Sequence, residues 1–193
     1  MKRICVLKFA ALAAAACWSM AGQAATVWDE AIQGELSGDR LQPTDLVAAT
    51  GDNLVFGTVG NAGQGIDRDY FSFNVPTNAW LDSIRLSDNS QVSGSTSFLA
   101  LQAGPQITTT PGGVGVRDLL GFIHYDPSMI GQNLLPLMGV VPVPLPAGRY
   151  SVWVQELDGP VPYGLNFVLS AVPEPSVALL LLAGLAGLPR RRR

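Results

Sequence analysis

The chain has 193 residues, with 15 Asp and Glu against 12 Lys and Arg, two cysteines and a single histidine. The charges are unevenly placed. Residues 25–175 hold fifteen acidic side chains and five arginines, which gives that segment a net charge of −10. A surface this acidic repels nucleic acid and anionic lipid, because both bind basic surfaces. A metal site built from several histidines is excluded by the count of one.

The first 24 residues are predicted to form a secretory signal peptide. A basic start is followed by an apolar stretch and then by small residues at positions 22 and 24. The basic and apolar parts are Lys2, Arg3, Lys8 and residues 9–18. Cleavage is expected after Ala24, and cleavage after Ala21 is the alternative.

A lipoprotein signal at Cys17 is a second interpretation of this segment. Such signals normally carry a leucine three residues before the cysteine, where this chain has Ala14. Because Cys5 and Cys17 both precede the expected cleavage site, the mature chain has no cysteine, and neither disulfide nor thiolate chemistry is available to it.

The C-terminal end combines a short rigid motif, an apolar run and a basic stop. The apolar run, residues 176–188, has thirteen uncharged residues, against about 20 for a helix that spans a bilayer. We therefore expect a transient anchor, with the terminal arginines in the cytoplasm and the motif at the outer surface. The motif and the stop are Val172, Pro173, Glu174, Pro175, and Arg190, Arg191, Arg192, Arg193.

This three-part order resembles the PEP-CTERM sorting signal over residues 172–193. The resemblance implies that an exosortase processes the chain near the Pro-Glu-Pro motif and that the product reaches the outer surface. The alternatives are a plain C-terminal membrane anchor or a buried core helix. A core helix would show an amphipathic stripe, which a uniformly apolar run does not have.

Residues 25–171 are predicted to be one all-β ectodomain, a β-sandwich or barrel. Apolar and polar residues alternate with a period of two, and Gly and Pro separate the strands. The predicted strands are 54–59, 70–75, 80–87, 97–102, 119–125, 149–155 and 163–170. Residues 41–49 are the one mild helix candidate. Residues 136–146 are predicted to be an exposed edge or loop, because their alternating prolines lack ladder donors.

Two parts of this domain resemble the pre-peptidase C-terminal domain of secreted bacterial proteins. The first is the Asp-Arg-Asp-Tyr-Phe sequence of residues 67–75 with the strand at 81–86, and the second is residues 145–154 with the strand at 163–169. The resemblance implies a jelly-roll-like β-sandwich that often serves as an accessory module of proteases. Residues 104–143 depart from that pattern, which leaves the middle strands open.

Asp67 and Asp69 are candidate calcium ligands, because carboxylate oxygens two residues apart can line one side of a loop site. Asn61, Gln64 and Asp52 are candidate additional ligands. The alternative is that the glycine-rich turn needs polar residues for its own backbone and that these acids are solvated. We favour the alternative, so the sequence predicts no metal and no cofactor.

No catalytic residue is predicted. His124 lies in a strand pattern without a nucleophile motif nearby, which favours a structural role. A carboxylate pair for glycoside hydrolysis stays open, because strand separation in sequence hides carboxylate distances. Trp153 alternates out of phase with its apolar neighbours, which predicts either an exposed binding platform or packing against a second sheet. The other candidate aromatics are Trp28, Trp80, Tyr150 and Tyr163.

These observations predict an exported surface or extracellular-matrix protein that is not an enzyme. Its expected partners are signal peptidase and exosortase during export, with transient membrane insertion and no nucleic acid. The resemblance to PEP-CTERM proteins implies a structural or adhesive role in exopolysaccharide or biofilm. The alternative is a small secreted hydrolase, or an accessory carbohydrate- or protein-binding domain.

Overall fold

The computed structural model describes residues 24–92, 97–113 and 115–172, which are mostly β. These residues form nine strands: β1 Ala25–Asp29, β2 Thr44–Leu46, β3 Gly51–Asn61, β4 Ile66–Val75, β5 Ala79–Leu86, β6 Ser97–Ala103, β7 Leu119–Tyr125, β8 Gly148–Gln155 and β9 Val161–Ala171. Two four-residue helices, α1 Glu30–Gln33 and α2 Leu134–Leu137, and two short 3₁₀ turns, Val116–Asp118 and Pro127–Met129, complete the described elements.

The strands pair in the order β5-β9-β3-β4-β8-β6-β7, and the pairs along this path are antiparallel. Strands β1 and β2 pair in parallel with β3 and β4. Strands β3 and β4 pair only at their shared hairpin, through Gly60 with Asp67 and Asn61 with Ile66. The result is a curled sheet.

The core forms where the curled sheet brings distant strands together. Phe71 and Phe73 of β4 are buried against Phe167 of β9, with ring centroids 5.7 and 5.0 Å apart. The alternation of apolar and polar residues places these rings on one face of each strand. Burial of each such ring contributes about 1.5–3 kcal/mol, so this face decides how the sheet folds onto itself.

The β-rich prediction is confirmed, and each of the seven predicted strands overlaps one of β3 to β9. The helix candidate at residues 41–49 is wrong. Thr44–Leu46 instead forms β2 and pairs with Phe71 to Phe73 of β4, because burying Leu46 in the core outweighs a weak helical pattern. The proline-rich segment forms no strand, although Leu145 exchanges backbone hydrogen bonds of 2.9 Å with Leu81 of β5.

Candidate functional site

Strand β4 supplies residues to two different sites, because alternate side chains point to opposite faces of a strand. Asp69 shares the core-facing side with Phe71 and is fully buried. Arg68 and Tyr70 lie on the other face, where they pair with residues of β8. The core-facing side of β4 contributes Asp69 to a cluster of carboxylates, and the outer face contributes Arg68 to an aromatic groove.

The carboxylate cluster consists of Glu30, Glu35 and Asp69. Each residue offers one carboxylate oxygen, and these oxygens lie within 4.8 Å of one another. Glu30 begins α1, where Asp29 caps the helix by accepting a hydrogen bond from the Ala31 amide. Parallel pairing of β1 with β3 carries this segment toward the first half of β4, where Ser37 forms a backbone bridge with Tyr70.

Backbone and side-chain donors fix two of the three carboxylates. Glu30 accepts hydrogen bonds from the backbone amides of Leu36 at 2.9 Å and Thr58 at 2.7 Å. The Tyr163 hydroxyl donates a 2.7 Å hydrogen bond to Oδ2 of Asp69. The other oxygen of Asp69, Oδ1, is buried and has no hydrogen-bond partner among the described residues. This buried oxygen of the cluster is therefore left without a donor.

Burial, and then the proximity of these acids, raises their pKa values. Burial, followed by the charge of Glu30, raises the pKa of Asp69 to about 9. Desolvation, followed by the charges of Glu30 and Asp67, raises the pKa of Glu35 to about 7. Burial also raises the pKa of Glu30, against its two backbone hydrogen bonds. Negative charge on the cluster is therefore unfavourable, and binding of a positive charge there is favoured.

The sequence prediction for this region is only partly matched by the geometry. Asp69 joins the cluster, and the Glu35 side chain lies within hydrogen-bonding reach of Asp67. The other three candidates are engaged elsewhere or lie outside the cluster. Asp52 accepts a 2.6 Å hydrogen bond from Asn166, Asn61 accepts one from the Gly63 amide, and Gln64 is exposed in the turn.

Sequence reasoning missed Glu30 and Glu35. They lie more than thirty positions before Asp69, and the β1–β3 pairing together with the backbone bridge between Ser37 and Tyr70 brings them near it. The one local signal is Asp29 followed by Glu30 and, after a turn, Gly34, which is typical of a short capped helix. That pattern predicts a helical turn but no ligand.

The aromatic groove has a volume of about 710 Å³ and lies on the outer face of strands β4, β8, β6 and β7. Two rows of side chains cross these strands in register. The first row is Tyr70, Trp153, Ala100 and Phe122, and the second is Arg68, Gln155, Phe98 and His124. Because Ala100 is small, the surface at the centre of the first row is recessed between the neighbouring aromatic side chains.

A loop between β6 and the first 3₁₀ turn forms one wall of the groove. It is fastened at Ile107 and Thr108, whose carbonyl oxygens both accept 2.9 Å hydrogen bonds from the Arg40 guanidinium. Gln102 adds a 2.8 Å hydrogen bond to the Thr108 hydroxyl. Ile107 is buried against Trp153 and Tyr70. The wall is therefore held by both polar bonds and apolar packing.

The exposed-platform interpretation of Trp153 is wrong. Its phase does place it on the outer face, but the ring is only 4% exposed, because Ile107 and the neighbouring rings cover it. Among the described residues, no second sheet covers it either. The Phe98 ring packs edge-on to Trp153 with centroids 4.7 Å apart, and Tyr70 lies at 5.7 Å. The Trp153 indole nitrogen is buried without a partner among the described residues.

The exposed rings of the groove are ones that the sequence analysis did not choose as aromatic binding residues. Phe122 is 44% exposed, and its ring centroid lies 5.9 Å from that of Phe98. His124 is exposed and lies 5.4 Å from Phe98, so it belongs to the groove wall and not to the core. The four remaining aromatics of the sequence prediction, Trp28, Trp80, Tyr150 and Tyr163, do not line the groove.

The two terminal signals fall largely outside the described residues, which begin at Ala24 and end at Val172. The Val172 amide donates a 2.7 Å hydrogen bond to the Asn78 carbonyl. Pro173, Glu174, Pro175 and the four terminal arginines lie beyond it. Within the described part, no helix is long and apolar enough to span a bilayer.

Comparisons with known proteins identify no relative. No family model, no curated protein and no solved structure matches this chain. The two resemblances seen in the sequence therefore stay predictions, and a function has to be argued from the two sites themselves.

Proposed function

We propose that this chain is an exported surface or extracellular-matrix protein whose β-domain binds neutral extracellular polysaccharide through the aromatic groove. Export and exosortase sorting are inferred from residues 1–24 and 172–193 and from the resemblance of the second segment to PEP-CTERM signals. The fold that we infer with it is a jelly-roll-like β-sandwich, which the packing of Phe71 of β4 on Phe167 of β9 supports.

The observation that carries the proposal is the partial exposure of aromatic rings inside a concave surface. Phe122 is 44% exposed there, and two other exposed apolar side chains, Val116 and Leu157, also line the groove. A local concentration of exposed apolar side chains is typical of a binding surface. Flat rings can stack on the apolar faces of sugars, and the volume lies within the usual range for ligand sites of about 300–1,000 Å³.

Charge favours a neutral polysaccharide over an acidic one. The segment that contains the groove carries a net charge of −10, which repels uronic acid and sulfate groups. The polar groups that line the groove, among them Arg68, His124 and Asp158, offer both donors and acceptors for sugar hydroxyls. Such a mixture suits hydroxyl-rich ligands without requiring a charge on them.

Affinity electrophoresis in gels with soluble polysaccharides tests the proposal. Dextran, xyloglucan and galactomannan serve as neutral probes, and alginate serves as the acidic probe. We expect at least one neutral polymer to retard the protein and alginate to retard it less. No retardation by any neutral polymer, or stronger retardation by alginate, would contradict the proposal.

Two variants assign any retardation to the groove. Phe122→Ala removes the exposed ring and should abolish it. Leu137→Ala removes a similarly exposed side chain, 48% against 44%, that does not line the groove and should leave retardation unchanged. Equal losses in both variants would place binding elsewhere.

Intact mass spectrometry of the protein from native cells and their medium tests the sorting part separately. A mass that ends near Pro173 to Pro175 supports exosortase-type processing. A mass that still includes Arg193 contradicts it and leaves a membrane-tethered protein.

A small secreted hydrolase is the second candidate, because Glu156 and Asp158 both line the groove and glycoside hydrolysis uses two carboxyl groups. Glu156 is buried and accepts a 2.7 Å hydrogen bond from Ser97, an arrangement that favours a fixed structural role. We therefore propose binding without hydrolysis. Release of reducing sugar from the retarding polymer, lost in Glu156→Gln, would instead support the hydrolase.

A further inference from the structure

We propose that the carboxylate cluster of Glu30, Glu35 and Asp69 binds one divalent cation of the calcium type. The cluster lies on the core-facing side of β4, whereas the groove lies on the outer side, so this site is separate from polysaccharide binding. All three ligands are carboxylate oxygens. Such oxygens bind hard cations in preference to soft transition metals.

The spacing of the cluster matches a single ion. Calcium binds oxygen at 2.3–2.6 Å, so two oxygens on opposite sides of one ion lie about 5 Å apart at most. The carboxylate oxygens of Glu30, Glu35 and Asp69 lie within 4.8 Å of one another. One cation can therefore contact all three without any large movement of the chain.

The unpartnered oxygen of Asp69 is an independent indication of a ligand. Asp69 is fully buried, and Tyr163 satisfies only its Oδ2 atom. Oδ1 has neither water access nor a hydrogen-bond donor among the described residues. A buried polar atom without a partner costs about 1–3 kcal/mol, and more when it is charged. A cation held between Asp69 and the two glutamates removes that cost.

The surroundings of the cluster supply further negative charge and a rigid frame. The Glu35 side chain lies within hydrogen-bonding reach of both Glu30 and Asp67. Two ionised carboxylates at such a contact repel each other unless a proton or a cation lies between them. The nearby Arg68 donates to Gln155 and the Ile66 carbonyl. Two backbone amides already hold Glu30, which reduces the cost of ordering the site on binding.

A bound cation would join the N-terminal segment to the sheet. Glu30 and Glu35 flank the turn that ends α1 at Gly34, and Asp69 lies in the middle of β4. The cation would thus link two parts of the chain that are far apart in sequence. We therefore expect binding to raise the melting temperature.

Terbium and calcium are suitable probes, because terbium occupies calcium sites and emits when a nearby aromatic ring is excited. The Tyr163 hydroxyl bonds to Asp69, so its ring lies at the site. We expect terbium emission on excitation of the protein, loss of that emission with about 1 mM calcium, and a higher melting temperature in calcium. Absence of both calcium-displaceable emission and a melting shift would overturn the proposal.

Three variants locate the ion. Glu35→Gln changes an exposed ligand, so folding should be preserved, and we expect calcium affinity to fall by about tenfold or more. Asp69→Asn keeps an acceptor for Tyr163 and should abolish binding. Asp88→Asn removes the same charge from an exposed turn and should change nothing. An equal loss in Asp88→Asn and Glu35→Gln would show diffuse charge attraction and overturn the site, whatever the outcome of the polysaccharide experiment.

Discussion

The carboxylate cluster and the aromatic groove depart from ordinary burial in opposite directions. In the cluster, a polar atom of Asp69 is buried without a partner among the described residues. In the groove, the apolar ring of Phe122 is exposed without a cover. Folding alone favours neither arrangement, because buried polar groups need partners and exposed apolar surface is unfavourable in water.

The comparison shows that ligand class can be inferred from the kind of departure. An unpartnered buried carboxylate is relieved by a cation, and an exposed ring in a concave surface is relieved by a ligand with an apolar face. Strand β4 supports both sites with neighbouring residues, Arg68 and Tyr70 outward and Asp69 inward. The two sites should therefore respond differently to mutation, pH and calcium.

The largest effect is expected for Trp153→Ala, which tests whether the ring beneath the groove belongs to the core. Trp153 is 4% exposed and packs against Phe98 and Tyr70. Its removal should lower the free energy of unfolding by about 3–5 kcal/mol, measured by urea denaturation. Trp80→Ala, at a half-buried position of β5, is the control and should cost less. A smaller loss for Trp153 than for Trp80 would contradict the burial described above.

Gly57→Ala should have the next largest effect, and it acts on the cluster. A Cβ atom at position 57 would lie 2.7 Å from the Tyr163 hydroxyl, which is the donor to Asp69. The ring would have to move, at a cost of about 1–3 kcal/mol in unfolding free energy, and the calcium-induced rise in melting temperature should shrink. Gly38→Ala, where the nearest atom lies 3.9 Å away, should leave both unchanged.

The dependence of stability on pH gives a third test of the cluster. Because folding raises the pKa of Asp69 to about 9 and of Glu35 to about 7, the folded protein binds these protons more tightly than the unfolded chain. The stabilising contribution is therefore fully present below pH of about 4 and is lost as pH rises toward 9. In a metal chelator, the free energy of unfolding of Asp69→Asn should therefore rise relative to that of the wild type over this pH interval.

The measurement is a series of thermal melts of both proteins in chelator. The gain of Asp69→Asn should reach at least about 1 kcal/mol at the alkaline end, or about 2–4 °C in melting temperature. Added calcium should reduce or remove this gain at the alkaline end, because only the wild type binds it. A constant difference between the two proteins across the interval would show that Asp69 has an ordinary pKa.

The strands that could be predicted are those with a local signal. Residues 149–155 alternate with a period of two and form all but the first residue of β8, Gly148–Gln155. Strands β1 and β2 were missed because they are short additions held by parallel pairing with β3 and β4 and not by their own patterns. The sequence therefore predicts the antiparallel strands better than it predicts β1 and β2, which pair in parallel with them.

The sites were harder to predict than the strands, for the same physical reason. The alternation correctly placed Trp153 on the outer face, but its cover is Ile107, from a loop with no periodic pattern. Asp69 was selected as a candidate ligand, but its partners Glu30 and Glu35 come from a segment that is positioned by β1 pairing and by the bridge of Ser37 to Tyr70. Both outcomes depend on contacts between residues that are distant in the chain.

The smallest stability effect is expected for Phe122→Ala, and it separates binding from folding most directly. Because its ring is 44% exposed, removal should lower the free energy of unfolding by about 1 kcal/mol or less, measured in the same urea series. The same variant should lose polysaccharide retardation completely. Trp153 lies beneath the surface of the groove, whereas Phe122 lies on it, so the two variants test different parts of the same groove. A destabilisation by Phe122→Ala as large as that by Trp153→Ala would show that the Phe122 ring is part of the core, and the open aromatic surface on which polysaccharide binding depends would not exist.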